Sequence, residues 1–270
     1  TRTWSVFAAR TRGIALGLAA HGFGHGDRLA VLGDNQPDLY AALIAAQALG
    51  GIGVPLDPVT EDDRLAAILA DCRADLAVAD TADQATRLQS LAAMTGQTIE
   101  VFCADASGLR GGDAWEQRNL DALVAEGKAG GLRDGVPQDL ALLLYPADSA
   151  SGMRPLALSH QQLLAAAEAI DAADPVRPSD EALCYLPISS YHDMLYSLTL
   201  GLLGGFACNC PEAPDSIPRD LREIGPTVLF APPVVCAALI QGMAAKADAV
   251  TGLKRHCFHY FQGLALQAEA

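Results

Sequence analysis

Residues 26–58, GDRLAVLGDNQPDLYAALIAAQALGGIGVPLDP, follow the pattern of a strand, a helix and a second strand. The apolar run at residues 28–32 predicts a short buried strand. Pro37 suits the first turn of a helix, which we predict to run to about Leu49. The second apolar run, within GIGVPLDP, predicts another strand followed by a turn. Two buried strands joined through a helix favour a parallel sheet that helices cover.

The same alternation continues along almost the whole chain. Helical patterns occur at residues 5–20, 65–72, 82–94, 120–126, 159–172, 191–203, 215–224 and 233–245, and strand patterns at residues 75–80, 98–103, 140–145, 183–186, 206–210 and 227–230. This order predicts an α/β fold of largely parallel sheets covered by helices on both faces. In such sheets ligands bind at the carboxyl ends of the strands.

Composition and charge restrict the class of protein. The chain has 270 residues, of which 51% are hydrophobic, enough for a sizeable core. The formal net charge of −14 repels nucleic acids and anionic membranes, so we expect no nucleic-acid partner. No apolar run reaches the roughly 18 residues that span a bilayer, so we predict no transmembrane segment. The N-terminus lacks an initiator Met and the shape of a signal peptide, so it is expected to be clipped.

The seven cysteines are scattered through apolar segments. This pattern is typical of reduced thiols, and we therefore expect a cytoplasmic protein. Cys208 and Cys210 point to one face of a predicted strand, but no second Cys/His pair follows at ligand spacing. The HCFH run at residues 256–259 is interpreted as a helix surface. The sequence thus predicts structural cysteines and no metal site.

A second stretch, LLLYPADSASGMRPLALSH at residues 142–160, suggests a phosphate-binding loop. It starts as a buried strand, passes through small residues and enters a helix near Ser159. Backbone amides and the dipole at a helix N-terminus favour an anion. However, the loop has one glycine, Gly152, one acid, Asp148, and no lysine.

In motif order the chain resembles the N-terminal part of the AMP-forming acyl-CoA synthetases, in the adenylate-forming superfamily. The resemblance rests on residues 26–58, the strand–loop–helix around Tyr145, CYLPISSYHDMLYSLTLGLLGGF at residues 184–206, and LREIGPTVLFAPPVV at residues 221–235. The last two motifs are most similar to the long-chain fatty acyl branch. The order of elements matches over nearly the whole chain, whereas the motifs match in part. The resemblance implies an incomplete large N-terminal domain of an adenylate-forming enzyme.

The resemblance also implies roles for the loop. The family loop reads roughly Tyr-Thr-Ser-Gly-Thr-Thr-Gly-x-Pro-Lys-Gly and ends in Thr-His at the next helix. Here Asp148 and Ser151 replace the two glycines that allow close approach to phosphate, and Arg154 takes the position of the lysine. Ser149 keeps a hydroxyl. The implied phosphate-loop residues are Tyr145, Asp148, Ser149, Ser151, Gly152 and Arg154.

A second departure lies in LPISS, residues 186–190. Family members usually have a histidine at the end of this motif, beside the acyl site. Here the position holds Ser190, and His192 follows two residues later. We take Ser190 and His192 as acyl-site candidates, and a surface histidine is an equal alternative for His192.

The function implied for the full-length protein is ATP-dependent activation of a fatty acid to acyl-AMP and then acyl-CoA, with Mg²⁺ as cofactor. The adenine, ribose and magnesium contacts of the family are expected beyond Ala270, so we expect this chain alone to be inactive. By resemblance the chain divides into a subdomain at residues 38–172 and a discontinuous one, residues 1–37 plus 180–270. Two alternatives remain open: a degenerate relative that binds a ligand or partner without catalysis, and an unrelated doubly wound domain.

Overall fold

The structure, a computed structural model, describes residues 2–105, 118–127, 132, 135–146, 154–249 and 252–268. Residues 1–228 form one compact unit and residues 229–270 a second. In the first unit, six strands form one sheet: β1 Arg28–Leu32, β2 Ile52–Leu56, β3 Leu76–Ala79, β4 Glu100–Cys103, β5 Leu140–Leu144 and β6 Leu156–Ser159. Their order is β4-β3-β1-β2-β5-β6, and every pair is parallel except β5 with β6.

A smaller parallel sheet pairs β7 Glu181–Leu183 with β8 Ala207–Asn209. The helices of the first unit are α1 Trp4–Ala20, α2 Pro37–Gln47, α3 Asp62–Cys72, α4 Ala82–Met94, α5 Leu120–Glu126, α6 His160–Ala173, α7 Tyr191–Asp193, α8 Leu200–Gly204 and α9 Ile217–Ile224. A π-helical turn, Met194–Thr199, joins α7 to α8. The second unit contains α10 Pro233–Ala249 and α11 Leu253–Ala268.

Both faces of the sheet are buried along its inner strands, as their continuous apolar runs require. Along β1, Leu29 and Val31 belong to a cluster with side chains of α1, α2 and α5. Ala30 and Leu32 point the other way, into a cluster with α3 and α4. The alternation follows from the two-residue period of a strand. The α/β fold predicted from the sequence is therefore confirmed.

Three features differ from the sequence interpretation. Residues 156–159 form β6, an antiparallel edge strand, where only a loop was expected. The strand predicted at residues 183–186 is β7, at Glu181–Leu183. The segment predicted as a strand at residues 227–230 makes only an isolated bridge between Val228 and Ala182. Short strands depend on which partner lies beside them, and the local pattern does not contain that information.

The N-terminal residues contact both of the predicted subdomains, and the grouping of residues 1–37 with 180–270 stays a prediction. β1 lies between β3 and β2, inside the sheet formed by residues 38–172. Its backbone groups are paired on both edges, and four of its five residues are buried. Residues 1–37 also reach the later segment, because Trp4 donates a hydrogen bond to the carbonyl of Gly205 at 3.1 Å.

Within the described residues, no helix is long and apolar enough to cross a membrane.

His21 connects three elements of the first unit at the end of α1. Its Nδ1 lies 3.0 Å from Glu100 of β4, and its Nε2 lies 2.7 Å from Glu126 of α5. Burial opposes the charged form of the imidazole, but the hydrogen bonds to Glu126 and Glu100 outweigh it and raise the pKa of His21 above 6.5.

We expect this group to make stability depend on pH. A raised folded-state pKa gives stability that is complete below about pH 6.5 and is lost as the pH rises through the folded pKa. The effect should stay below about 1 kcal/mol, because the partners are partly exposed. Urea unfolding at several pH values measures the free energy of unfolding. With rising pH, this free energy should fall less in His21→Gln than in the unsubstituted protein. His25→Gln is the control, since His25 contacts a single carboxylate, Asp139, at 3.1 Å. An equal change in both variants would contradict the assignment.

Candidate active site

The carboxyl ends of β1 and β2 meet the segments that follow β7 and β8 around a cavity of about 190 Å³. This is the edge where an α/β sheet of this kind binds ligands. The lining residues are Gly33, Asp34, Asn35, Asp57, Pro58, Val59, Tyr185, Pro187, Ile188, Pro211, Ala213, Pro214 and Ile217. Ser190 and His192 do not line it.

This edge of the sheet carries negative charge. Asp34, Asp57 and Asp80 follow three neighbouring strands, β1, β2 and β3. Burial, and then the charges of Asp80 and Asp57, raise the pKa of Asp34. Asp80 accepts a hydrogen bond from the Asp34 amide at 3.1 Å and lies so close to Gly33 that a Cβ there would be 2.5 Å from its side chain. A phosphate at this edge therefore needs nearby cations or free backbone amides.

The structure describes the two ends of the predicted phosphate loop. Tyr145 directly follows β5, is buried, and donates its hydroxyl proton to Asp71 at 2.7 Å. Burial and this hydrogen bond raise the pKa of Tyr145, so it acts as a neutral anchor for the loop. At the other end Arg154 is exposed just before β6. Asp148, Ser149, Ser151 and Gly152 lie outside the described residues, and their roles stay predictions.

A cation that the sequence interpretation missed lies at the start of the loop. Arg64 is half-buried in the first turn of α3, and its Nη2 donates to the Pro146 carbonyl at 2.6 Å. The position of Arg64 could have been predicted from the order of the elements. Because α3 follows β2, its first turn begins at the carboxyl edge of the sheet, where an arginine comes close to the end of the neighbouring strand.

The acyl-site candidates occupy a helix start. The Ser190 hydroxyl accepts a hydrogen bond from the Asp193 amide at 3.1 Å and caps α7. His192 is exposed, with its ring centroid 5.8 Å from that of Tyr191 and 6.0 Å from that of Tyr196. These contacts place His192 on the protein surface, and its role at an acyl site stays a prediction.

A buried polar cluster lies beside the cavity, centred on Asp193, which is 0% exposed and which the sequence interpretation did not single out. Tyr40 and Ser197 donate hydroxyl protons to its carboxyl group at 2.8 and 2.7 Å. The Asn35 amide lies 3.0 Å from the same group and 2.8 Å from the Leu186 carbonyl. The cluster thus fastens the end of β1 to the segment after β7.

Burial raises the pKa of Asp193 to about 8, although the donors from Ser197, Tyr40 and Asn35 favour the ionised form. The π-helical turn begins at the next residue, Met194. Such turns are frequent at functional sites.

An apolar cavity of about 320 Å³ lies between α2, β5, α6 and the helical segment at residues 194–204. Its lining combines leucines and an isoleucine with three polar side chains: Ile44, Gln47, Leu142, His160, Leu163, Leu164, Leu198, Thr199, Leu202 and Leu203. Burial lowers the pKa of His160, against the charge of Asp139, so its imidazole is neutral near pH 7. The cavity suits the apolar part of a small ligand.

No group of three or more His, Cys, Asp or Glu side chains that could hold a metal ion occurs in the part of the chain that the structure describes. The described residues therefore offer no protein cage for a metal, whereas Mg²⁺ usually binds one or two carboxylates together with substrate phosphates.

Comparisons with known proteins identify the family but not the substrate. The AMP-binding enzyme family matches residues 1–269. An L-proline–[L-prolyl-carrier protein] ligase of Pseudomonas fluorescens is 27% identical over 221 residues, 82% of this chain and 42% of that protein. A 3-hydroxybenzoate/4-hydroxybenzoate–CoA ligase of Thauera aromatica is 24% identical over 268 residues, 93% of this chain and 48% of that protein. The chain spans less than half the length of these curated relatives.

Among solved structures, the crystal structure of VinN matches with a TM-score of 0.74 and 23% identity, over 92% of this chain and 59% of that one. This likeness supports the fold of the N-terminal domain of adenylate-forming enzymes. The names of the curated relatives refer to proline and hydroxybenzoates, and they do not single out the long-chain fatty acyl branch. Since the family match covers almost every residue, the chain belongs to the AMP-binding enzyme family of the adenylate-forming superfamily.

Proposed function

We propose that the full-length protein activates a carboxylic acid with ATP and transfers the acyl group to a thiol. The carboxylate attacks the α-phosphate, pyrophosphate leaves, and the thiol then displaces AMP from the acyl adenylate. The observation that carries this proposal is the family match over residues 1–269. The position of the loop supports it, because Tyr145 and Pro146 leave the carboxyl edge of the sheet next to Arg64.

In this proposal the described residues bind and orient the nucleotide. Arg64 and Arg154 offset phosphate charge from the two ends of the loop, and Tyr145 holds the strand end in place through Asp71. Because Arg64 already donates a hydrogen bond to the Pro146 carbonyl, it also holds the start of the loop in position.

For the substrate we propose an apolar acid of the fatty acid class. Two observations favour it over a polar acid: the similarity of residues 184–206 and 221–235 to the long-chain branch, and the apolar cavity of about 320 Å³. For the thiol we propose CoA. The proline ligase named above uses a carrier protein instead, so a carrier thiol is the alternative acceptor to test.

The test is ATP–pyrophosphate exchange by the full-length protein with separate acids: a medium-chain fatty acid, proline and 4-hydroxybenzoate. We expect exchange with the fatty acid, well above a reaction without acid. Exchange with proline or 4-hydroxybenzoate, but not with the fatty acid, would support the ligase activity and contradict the proposed substrate class.

The 270-residue chain by itself is expected to give no exchange above a reaction without enzyme, because the adenine, ribose and magnesium contacts are expected outside it. Clear exchange by this chain would contradict that expectation.

A binding protein without catalysis is the second candidate. The observation that favours it is the negative charge at the carboxyl edge, where Asp34, Asp57 and Asp80 lie together, combined with Asp148 in the loop. Absence of exchange in the full-length protein with every acid, together with measurable ligand binding, would support this candidate.

A further inference from the structure

Three cysteines meet where the small sheet ends. β7 and β8 pair in parallel with Leu183 opposite Asn209, so Cys184 and Cys210, the next residues, are opposite each other. The Cys184 amide donates to the Asn209 carbonyl at 2.8 Å, which closes the Leu183–Asn209 pair and holds Cys184 beside β8. Cys208 and Cys210 are two residues apart on β8 and therefore share a face. The side chain of Cys184 points to the same face of the small sheet, because residues that are opposite in a parallel pair share a face.

This arrangement is within reach of a disulfide. Neighbouring strands lie about 4.8 Å apart, inside the range of roughly 4.4–6.8 Å between the Cα atoms of bonded cysteines. The remaining movement is a change of side-chain rotamers, since the strand register already places the two residues opposite each other. Cys208 is less available, because its thiol also donates to the Ser197 carbonyl at 3.4 Å. Cys210 is thus the better partner for Cys184.

The three thiols also differ in reactivity. Hydrogen bonds from Cys208 and Cys210 lower the pKa of Cys184, although burial opposes this. The pKa values of Cys208 and Cys210 are raised by the same hydrogen bonds and by burial. Cys184 therefore has the most thiolate character of the three, and the thiolate is the reactive form. Cys184 is buried, while Cys208 and Cys210 are half-buried.

We propose that Cys184 and Cys210 form a reversible redox site that closes to a disulfide when the protein meets hydrogen peroxide. The Cys184 thiolate attacks one peroxide oxygen, the O–O bond breaks, and the released hydroxide takes up the thiol proton to become water. The Cys210 sulfur then attacks the resulting sulfenic acid, the S–O bond breaks, and a second water leaves with the Cys210 proton. Two thiols lose two electrons, and one peroxide gains them.

A disulfide here would bond the ends of β7 and β8 covalently. Cys184 and Leu186 offer carbonyls to Asn35, so the cross-link lies next to the contacts that join the small sheet to the end of β1. The proposed redox site does not depend on the proposed ligase activity. Among the described residues, these three cysteines are not part of a group that could hold a metal ion.

The experiment treats the reduced full-length protein with hydrogen peroxide, alkylates the remaining thiols and maps peptides by mass spectrometry without reductant. We expect a peptide pair joined through Cys184 and Cys210, lighter by two hydrogen atoms and lost after addition of dithiothreitol. Cys208→Ser is the matched control and should keep the cross-link, whereas Cys210→Ser and Cys184→Ser should lose it.

Several outcomes would overturn the proposal. These are a cross-link from Cys184 to Cys208, a cross-link that persists in Cys210→Ser, or free Cys184 and Cys210 under conditions that oxidise the exposed Cys236 and Cys257. The map of the unsubstituted protein decides the question even where a variant fails to fold.

Discussion

Replacing Asp148 with glycine is expected to tighten ATP binding by the full-length protein roughly a hundredfold. A carboxylate about 5 Å from a phosphate oxygen, at an effective dielectric near 20, costs about 3 kcal/mol for one charge pair. That free energy corresponds to a factor of about a hundred in the dissociation constant. Arg154 offsets part of the penalty only if it faces the phosphate and not Asp148 itself. Isothermal titration calorimetry gives the dissociation constant directly.

Two further variants separate the causes. Asp148→Asn removes the charge and keeps the size, so it should recover most of the gain if repulsion is the reason. Asp174→Gly is the matched control, because it changes the net charge equally at the far end of α6. That helix has 14 residues, and its ends are about 20 Å apart, well beyond the screening length of about 8 Å in physiological salt. Unchanged or weaker ATP binding in Asp148→Gly would show that Asp148 does not oppose the nucleotide.

Replacing Asp193 with alanine is expected to lower the free energy of unfolding by about 1–3 kcal/mol. The change leaves the buried hydroxyl of Tyr40 without its acceptor and removes an acceptor from Ser197 and Asn35. Urea unfolding at fixed pH measures the loss. A loss below about 1 kcal/mol would mean that water or a shifted side chain replaces the carboxyl group.

The pH dependence distinguishes the charge of Asp193 from its shape. The folded-state pKa of about 8 lies above the ordinary 3.8, so the folded protein binds the extra proton. Stability is therefore complete below about pH 4 and falls by up to about 1.4 kcal/mol per pH unit as the pH rises towards 8. Asp193→Asn keeps the shape without a titrating group and should give a flatter profile. Equal slopes in both proteins would contradict the raised pKa.

The sequence predicted the elements whose signal is local. The strand at Arg28–Leu32 and the helix at Ala82–Met94 were found with the predicted bounds, because each has a complete pattern within its own residues. β6 was missed because four residues after Pro155 become a strand only through pairing with β5. Local sequence does not specify that pairing.

The same distinction applies to the candidate site. The position of the loop after β5 was predictable from the order of the elements. The partners of its residues were not, because Tyr145 pairs with Asp71 and Pro146 with Arg64, at separations of 74 and 82 residues. The role of Asp193 could not be predicted from the sequence. A single acid in an apolar helix is recognised as the centre of a buried polar cluster only once the fold places Tyr40 beside it.

The antiparallel pairing of β5 with β6 also determines how much variation the connecting segment can tolerate. Leu144 and Leu156 are partners in the ladder, so the sheet already fixes the distance between the two ends. Lengthening a connection between two fixed ends costs only about 0.6 kcal/mol for each doubling of its length. Changes of composition or length between these ends should therefore affect ligand binding far more than folding. A connection with a single glycine is therefore compatible with a folded domain around it.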